Sequence, residues 1–119
     1  MKNMQSNNFI LFEKTYSFLL WLYPAIKKFP KSDKYTIGEE IKKTTLEILK
    51  YIMLFNKTKD KKYLQKADIY LDILRIQLRL SNDLRILDSK KYEFSSKQVF
   101  EIGNILGGFL NKERTLNVL

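Results

Sequence analysis

The stretch Lys28–Ile41 reads KFPKSDKYTIGEEI. An apolar-rich segment precedes it and a second one follows, with a turn of only a few residues between. Pro30 ends the first segment, because a proline pushes the residue before it, here Phe29, away from helical angles. Ser32 then stands where the N-cap of the next helix is needed. Asp33 falls in that helix's first turn, where a negative charge suits the dipole. The stretch reads as a tight turn between two helices, and it is rich in lysine.

Upstream of the turn, Phe9, Phe12, Tyr16, Leu19, Tyr23 and Ile26 recur at helical spacing, which predicts a stripe facing a partner helix. Pro24 lies inside that pattern and predicts a kink. Downstream, Ile37, Ile41, Thr45, Ile48, Ile52 and Phe55 form the stripe of a second helix. Asp60 is placed to cap a third, which carries two apolar seams. Leu64, Ala67, Leu71, Leu74 and Leu78 make the first; Ile69, Ile73, Ile76, Leu80 and Leu84 make the second. A helix this apolar is contacted on more than one side. A fourth helix, starting near Tyr92 after Ser89-Lys90-Lys91, carries Val99, Ile102, Leu106 and Phe109, and the end from Glu113 is expected to fray. No strand alternation, hairpin turn or internal repeat is visible. The expectation is all-α: a single domain over 1–119, folded as an antiparallel up-down four-helix bundle. Its helices fall at about 8–29, 33–56, 60–88 and 92–112.

Composition narrows the chemistry. The chain has neither Cys nor His, which removes disulfides, thiolate nucleophiles, Cys/His metal sites and histidine acid–base catalysis. Glu39 and Glu40 are adjacent and diverge on a helix. Asp68 and Asp72 lie one turn apart and read as a solvated face. No glycine-rich phosphate loop is present. The reading is of a protein that is not an enzyme, with no cofactor, no metal and no small-molecule substrate. The longest strongly apolar run, Phe18–Ile26, is far short of the ~20 residues of a membrane span. No secretory signal is seen, and a cytoplasmic location with no membrane partner is expected.

The formal net charge is +9, which favours polyanionic partners. Lys27–Lys34 has a net charge of +3 and Lys57–Lys66 a net charge of +4, while Tyr35–Asn56 is neutral. The excess therefore sits at two turns. In an up-down bundle Lys27, Lys28, Lys31, Lys34, Arg85, Lys90 and Lys91 gather at one end, and Lys57, Lys59, Lys61 and Lys62 at the other. Clustered lysines interleaved with Phe29, Tyr35, Tyr63 and Tyr92 suit phosphates and stacked bases; the bland alternative is ordinary solubilising charge.

Two features exceed what a lone bundle needs. Trp21 falls almost opposite the first stripe and reads as a protein–protein contact, the alternative being that the helix phase shifts and Trp21 is core. Gly103 and Gly107 share a helix face, which reads either as a close helix approach or, with Gly108, as a bend.

The segments YSFLLWLYPAIKKFPKSDKYTIGEEI (Tyr16–Ile41), LDILRIQLRLSNDLRIL (Leu71–Leu87) and EIGNILGGFL (Glu101–Leu110) resemble, in order and spacing, the Avd family. These are the accessory variability determinant proteins of diversity-generating retroelements. A wider group of four-helix proteins, encoded in ribosomal RNA intervening sequences, shares the K-F-P element. It continues in helix two with a Ser-Asn-Ile-Ala-Glu-Gly type stretch, where this chain has Thr44-Thr45-Leu46-Glu47-Ile48, a departure that favours Avd proper. The resemblance implies a non-catalytic four-helix bundle assembled as a homopentameric barrel. It implies two partners, the retroelement's reverse transcriptase and nucleic acid (template RNA or cDNA), in support of mutagenic reverse transcription. It carries a contact role, to phosphate or polymerase, to Lys28, Lys31, Lys34, Arg75, Arg79 and Arg85; the turn cations Lys90 and Lys91 join them as candidates by position. Trp21, Ile69, Ile73, Ile76 and Leu80 are the candidate oligomer contacts. The alternatives are an intervening-sequence-type protein, or a purely structural oligomer without a polymerase partner.

Overall fold

The computed structural model describes residues 6–118, and the side chains of residues 9–110. Four long helices and one single-turn helix make up the chain, with no strand among the described residues: α1 Ser6–Lys27, α2 Lys31–Lys34, α3 Ile37–Thr58, α4 Lys61–Asp83 and α5 Ser89–Val118. The fraying expected from Glu113 falls on residues whose side chains lie outside the described range. Helix α1 packs on α3 and α5, and α4 packs on the same two, so α1 and α4 occupy opposite corners.

One core runs through all four long helices. It takes Leu11, Phe18, Leu22 and Ile26 from α1, and Ile41, Ile48 and Ile52 from α3. Helix α4 gives Leu64, Leu71, Leu74 and Leu78, and α5 gives Val99, Ile102 and Leu106. The stripes expected for α3 and for the first seam of α4 are these core faces. Buried hydroxyls within the core do not go unpaired. Thr15 donates to the Leu11 carbonyl and Thr45 to that of Ile41, each at 2.9 Å. Ser81 donates to the Gln77 carbonyl and Ser95 to that of Tyr92. Each hydroxyl thus satisfies itself on its own helix and costs the apolar interior little.

The phase expected for α1 is wrong by one residue. Phe9, Tyr16 and Tyr23 are exposed, and of the expected stripe only Leu19 and Ile26 are buried. The true stripe is Leu11, Thr15, Phe18, Leu22, Ala25 and Ile26. Large apolar or aromatic residues surround α1 on nearly every side, so two faces about 100° apart both look like a core stripe. Trp21 moves with the phase. It is half-buried at the flank of α1, 5.8 Å from the Phe18 ring and 4.8 Å from the Phe94 ring.

The first turn is built differently from the expected serine cap. Pro30, at φ −52° and ψ 148°, precedes α2, and Ser32 lies within that single turn with no capping bond. The Thr36 hydroxyl donates to the Ser32 carbonyl at 3.0 Å, and α3 begins only at Ile37. Phe29 folds back into the core at 5% exposure. Gly38, in the first turn of α3, is buried against it: a Cβ there would lie 2.7 Å from Ile26 Cγ2 and 3.2 Å from the Asp33 carbonyl. The turn is compact because that Cβ is missing.

The second turn has the expected cap. Asp60 Oδ1 accepts from the Lys62 amide at 3.0 Å, while Lys59 closes α3 in the left-handed conformation, φ 62°. At the third, α4 ends at Asp83, short of the expected 88, and α5 begins at Ser89, three residues before the expected start at Tyr92, with Asp88 as its cap. Its Oδ1 accepts from the Lys91 amide at 2.9 Å, and that bond holds the Asp88 carboxyl below the usual carboxylate range. Asn82 Nδ2 donates to the Leu87 carbonyl at 3.1 Å and pins the loop, so that Leu87 enters the core.

Arg85, exposed in that loop, has φ 62°, a conformation that suits glycine. Arg85→Gly is therefore expected to raise stability by about 0.5–1 kcal/mol, read as a higher melting temperature. A drop of more than ~1 kcal/mol would show that the arginine side chain holds the loop in a way its exposure does not reveal.

Candidate nucleic-acid interface

Helices α1 and α5 run antiparallel. Trp21 meets Phe94 with the rings tilted at 44°, and Lys14 pairs with Glu101, so partners on α5 fall in number as those on α1 rise. The last turn of α1 and the first turn of α5 therefore face the same way. That end carries Lys27, Lys28, Lys31 and Lys34 from α1 and α2, and Arg85, Lys90 and Lys91 from the third turn. Lys91 is paired with Asp88, its Nζ 3.6 Å from Oδ2. Lys28, Lys31, Lys34, Arg85 and Lys90 have no carboxylate partner among the described residues. Lys28, Lys31, Arg85 and Lys90 are exposed, and Lys34 is partly so. Unneutralised ammonium and guanidinium groups at a water-facing end attract phosphates and release their counterions.

At the other turn Lys62 has partners of its own. Lys62 lies 3.8 Å from Asp60 and 5.1 Å from the Tyr63 ring centre. Lys50 pairs with Glu47 at 3.0 Å and lies over Tyr51; the Glu47 hydrogen bond raises its pKa. Tyr51, Tyr63 and Tyr70 stack there at 5.7–6.2 Å. Their ring faces are largely taken up by one another and by lysine.

Arg75 does not join the lysine end. Arg75 lies eight residues, about 12 Å, before the end of α4. Its Nη1 donates to Asp72 Oδ1 at 2.6 Å, and its guanidinium rests against Gly103 of α5, where a Cβ would sit 2.5 Å from Nη2. This close approach is the role that the structure gives Gly103; Gly108 has open space around it. Arg79 Nε lies 3.7 Å from Asp83, and both arginines line a groove with Ile76, Tyr92 and Phe100.

The second seam of α4 is bare. Ile69, Ile73, Ile76 and Leu80 are all exposed, Ile76 at 66%, on the face opposite the α4 core stripe. A comparable stripe lies on α1, where Phe9, Tyr16 and Leu20 share an exposed face, Leu20 at 60%. The sequence holds that signal, but the misplaced phase assigns it to the core.

Among the described residues no helix is long and apolar enough to cross a membrane, and no group of acidic side chains is placed to hold a metal ion. No curated protein matches the chain. A protein-family model does, that of the bAvd-like proteins, over residues 9–113, from the apolar start of α1 through both basic turns and into α5; the chain belongs to that family.

Proposed function

We propose that the chain is an accessory protein of a diversity-generating retroelement, a non-catalytic up-down bundle that assembles as a pentameric ring. The ring holds template RNA or cDNA against the reverse transcriptase. Family membership over residues 9–113 carries the reading. The geometry supports its two finer parts. Unpartnered cations at one end of the subunit become a ring of charge when the subunit is repeated. And two different bare apolar stripes, on α1 and α4, lie at opposite corners. A single self-complementary patch makes a two-fold dimer, whereas two unlike faces meet head to tail and form a ring where the rotation between subunits closes. Exposed apolar area of this extent on both faces calls for a partner.

The test joins light scattering with a salt titration of RNA binding. A ring-sized particle is expected, with an affinity that falls steeply as salt rises. Ile73→Asp with Ile76→Asp removes one face, and Tyr16→Asp with Leu20→Asp the other; each pair should give monomers. Mixing the two variants should restore a heterodimer and nothing larger, since one intact interface remains. An RNA-inert oligomer would instead mark a purely structural protein, and RNA binding without capture of the polymerase an intervening-sequence-type protein.

A further inference from the structure

A pocket of ≈ 360 Å³ opens where α1, the first turn and α3 meet. Its lining holds two aromatic residues, Tyr23 and Tyr35, with Ile26, and four charged ones, Lys27, Lys34, Lys42 and Glu39. The charges are unequal in availability. Lys42 is committed, its Nζ 2.9 Å from Glu39 and 4.7 Å from the Tyr23 ring centre. Lys27 and Lys34 have no carboxylate partner among the described residues. The pocket thus offers the side chain of Tyr35, 66% exposed and with no described ring or cation contact, beside two ammonium groups without a described carboxylate partner. It lies at the lower limit of small-ligand sites in size.

We infer that this pocket takes one unpaired nucleotide of a bound RNA strand, the base against Tyr35 and its phosphate between Lys27 and Lys34. The inference rests on the nucleic-acid reading above and adds to it a subsite and a preference. A base inside a duplex has both faces stacked on its neighbours and cannot offer one to a tyrosine. A splayed single-stranded base can, and stacking of this kind tolerates any sequence. The lysines add affinity that depends on salt; the ring adds affinity that does not.

The two contributions are separable by fluorescence anisotropy with a labelled single strand of RNA and with the same strand annealed to its complement. Tyr35→Ala is expected to weaken single-strand binding about tenfold or more, with the salt slope unchanged. Tyr35→Phe should bind like the wild type, and duplex affinity should not move. Lys27→Ala with Lys34→Ala should make the single-strand slope shallower by about 0.7, the amount for the one phosphate that is no longer neutralised. Tyr35 is exposed at the end of α2, so its removal leaves the core intact.

Equal losses on single strand and duplex would overturn the stacking role. So would a Tyr35→Ala variant that loses adenosine monophosphate but keeps the strand, which would make this a free-nucleotide site. If the wild type binds RNA with a steep salt slope while Tyr35→Ala binds both forms unchanged, the pocket fails alone. If the wild type retains no RNA, the broader reading fails and the pocket with it.

Discussion

Gly38→Ala is expected to melt at a lower temperature than the wild type, and Gly38→Val lower still. A Cβ at position 38 would stand 2.7 Å from Ile26 Cγ2, inside any real contact distance, with the Asp33 carbonyl at 3.2 Å and Phe29 Cδ2 at 3.6 Å. None of the three gives way easily. Ile26 is 1% exposed and Phe29 5%, so both are held by the core, and the Asp33 oxygen is backbone. An added methyl forces α3 away from α1 or Ile26 out of its rotamer, at about 1–3 kcal/mol. Alanine's helix propensity returns at most ~1 kcal/mol of this. The net loss expected is about 1–2 kcal/mol for alanine, or roughly 5–10 °C in melting temperature. Valine brings two further methyls into the same gap and should cost ~3 kcal/mol or more. Gly108→Ala is the control, since nothing lies within 4 Å of its Cβ position. That change should raise stability by up to ~1 kcal/mol. Gly38→Ala melting at or above the wild type would sink the argument that this glycine sets the turn.

How far the sequence reveals this fold depends on how uneven each helix is. Helix α3 has one apolar face, and its stripe from Ile41 to Phe55 is legible because Lys42, Lys43, Glu47 and Lys50 define the other. Helix α4 shows two seams, and the structure buries one and exposes the other; Asp68, Asp72, Arg75 and Arg79 separate them. Helix α1 has no such contrast. With Phe, Tyr, Leu and Trp all round it, periodicity alone selects a stripe 100° away from the buried one, and Trp21 is misplaced as a consequence. The caps divide in the same way. Asp60 stands alone between two lysine-rich segments and is readable as a cap. Asp88 is equally available, before Ser89-Lys90-Lys91, but the apolar pattern resuming at Tyr92 draws the boundary inward. Ser32 is a good capping residue that the chain does not use, because Pro30 starts a separate turn around it.

The candidate site is legible as charge and not as shape. Lysine clustering at two turns is a linear property and can be counted. Which lysines of each cluster have partners of their own, as Lys91 has Asp88 and Lys62 has Asp60 and Tyr63, depends on side-chain geometry. The Tyr35 pocket draws on α1, the turn and α3 together, and no local pattern announces it. The separation of Arg75 from the lysine end follows from helix rise alone and is readable in advance.

Lys28→Glu, Lys31→Glu and Lys34→Glu together should lower RNA affinity by more than about 100-fold at moderate salt, with the particle size unchanged. Each reversal removes two units of charge, so the three take the chain from +9 to +3. In a ring the change is multiplied by every subunit and concentrated at one end. With three fewer phosphates neutralised per subunit, the salt slope should also become shallower by about 2 for each strand segment held by one subunit. Stability should hold, since no described carboxylate depends on these lysines, and Lys28 and Lys31 are exposed. The bare stripes on α1 and α4 lie apart from all three positions, so assembly should survive. Because Lys34 also lines the Tyr35 pocket, the pair Lys28→Glu and Lys31→Glu is the cleaner probe of the charged end. It should reproduce most of the effect on duplex and single strand alike, where Tyr35→Ala discriminates between them. Unchanged affinity in the triple variant would move the nucleic-acid contact to the Arg75–Arg79 groove or the Lys57–Lys62 turn. It would leave the α1–α2 lysines to the polymerase, a possibility that capture of the reverse transcriptase by the same variant decides.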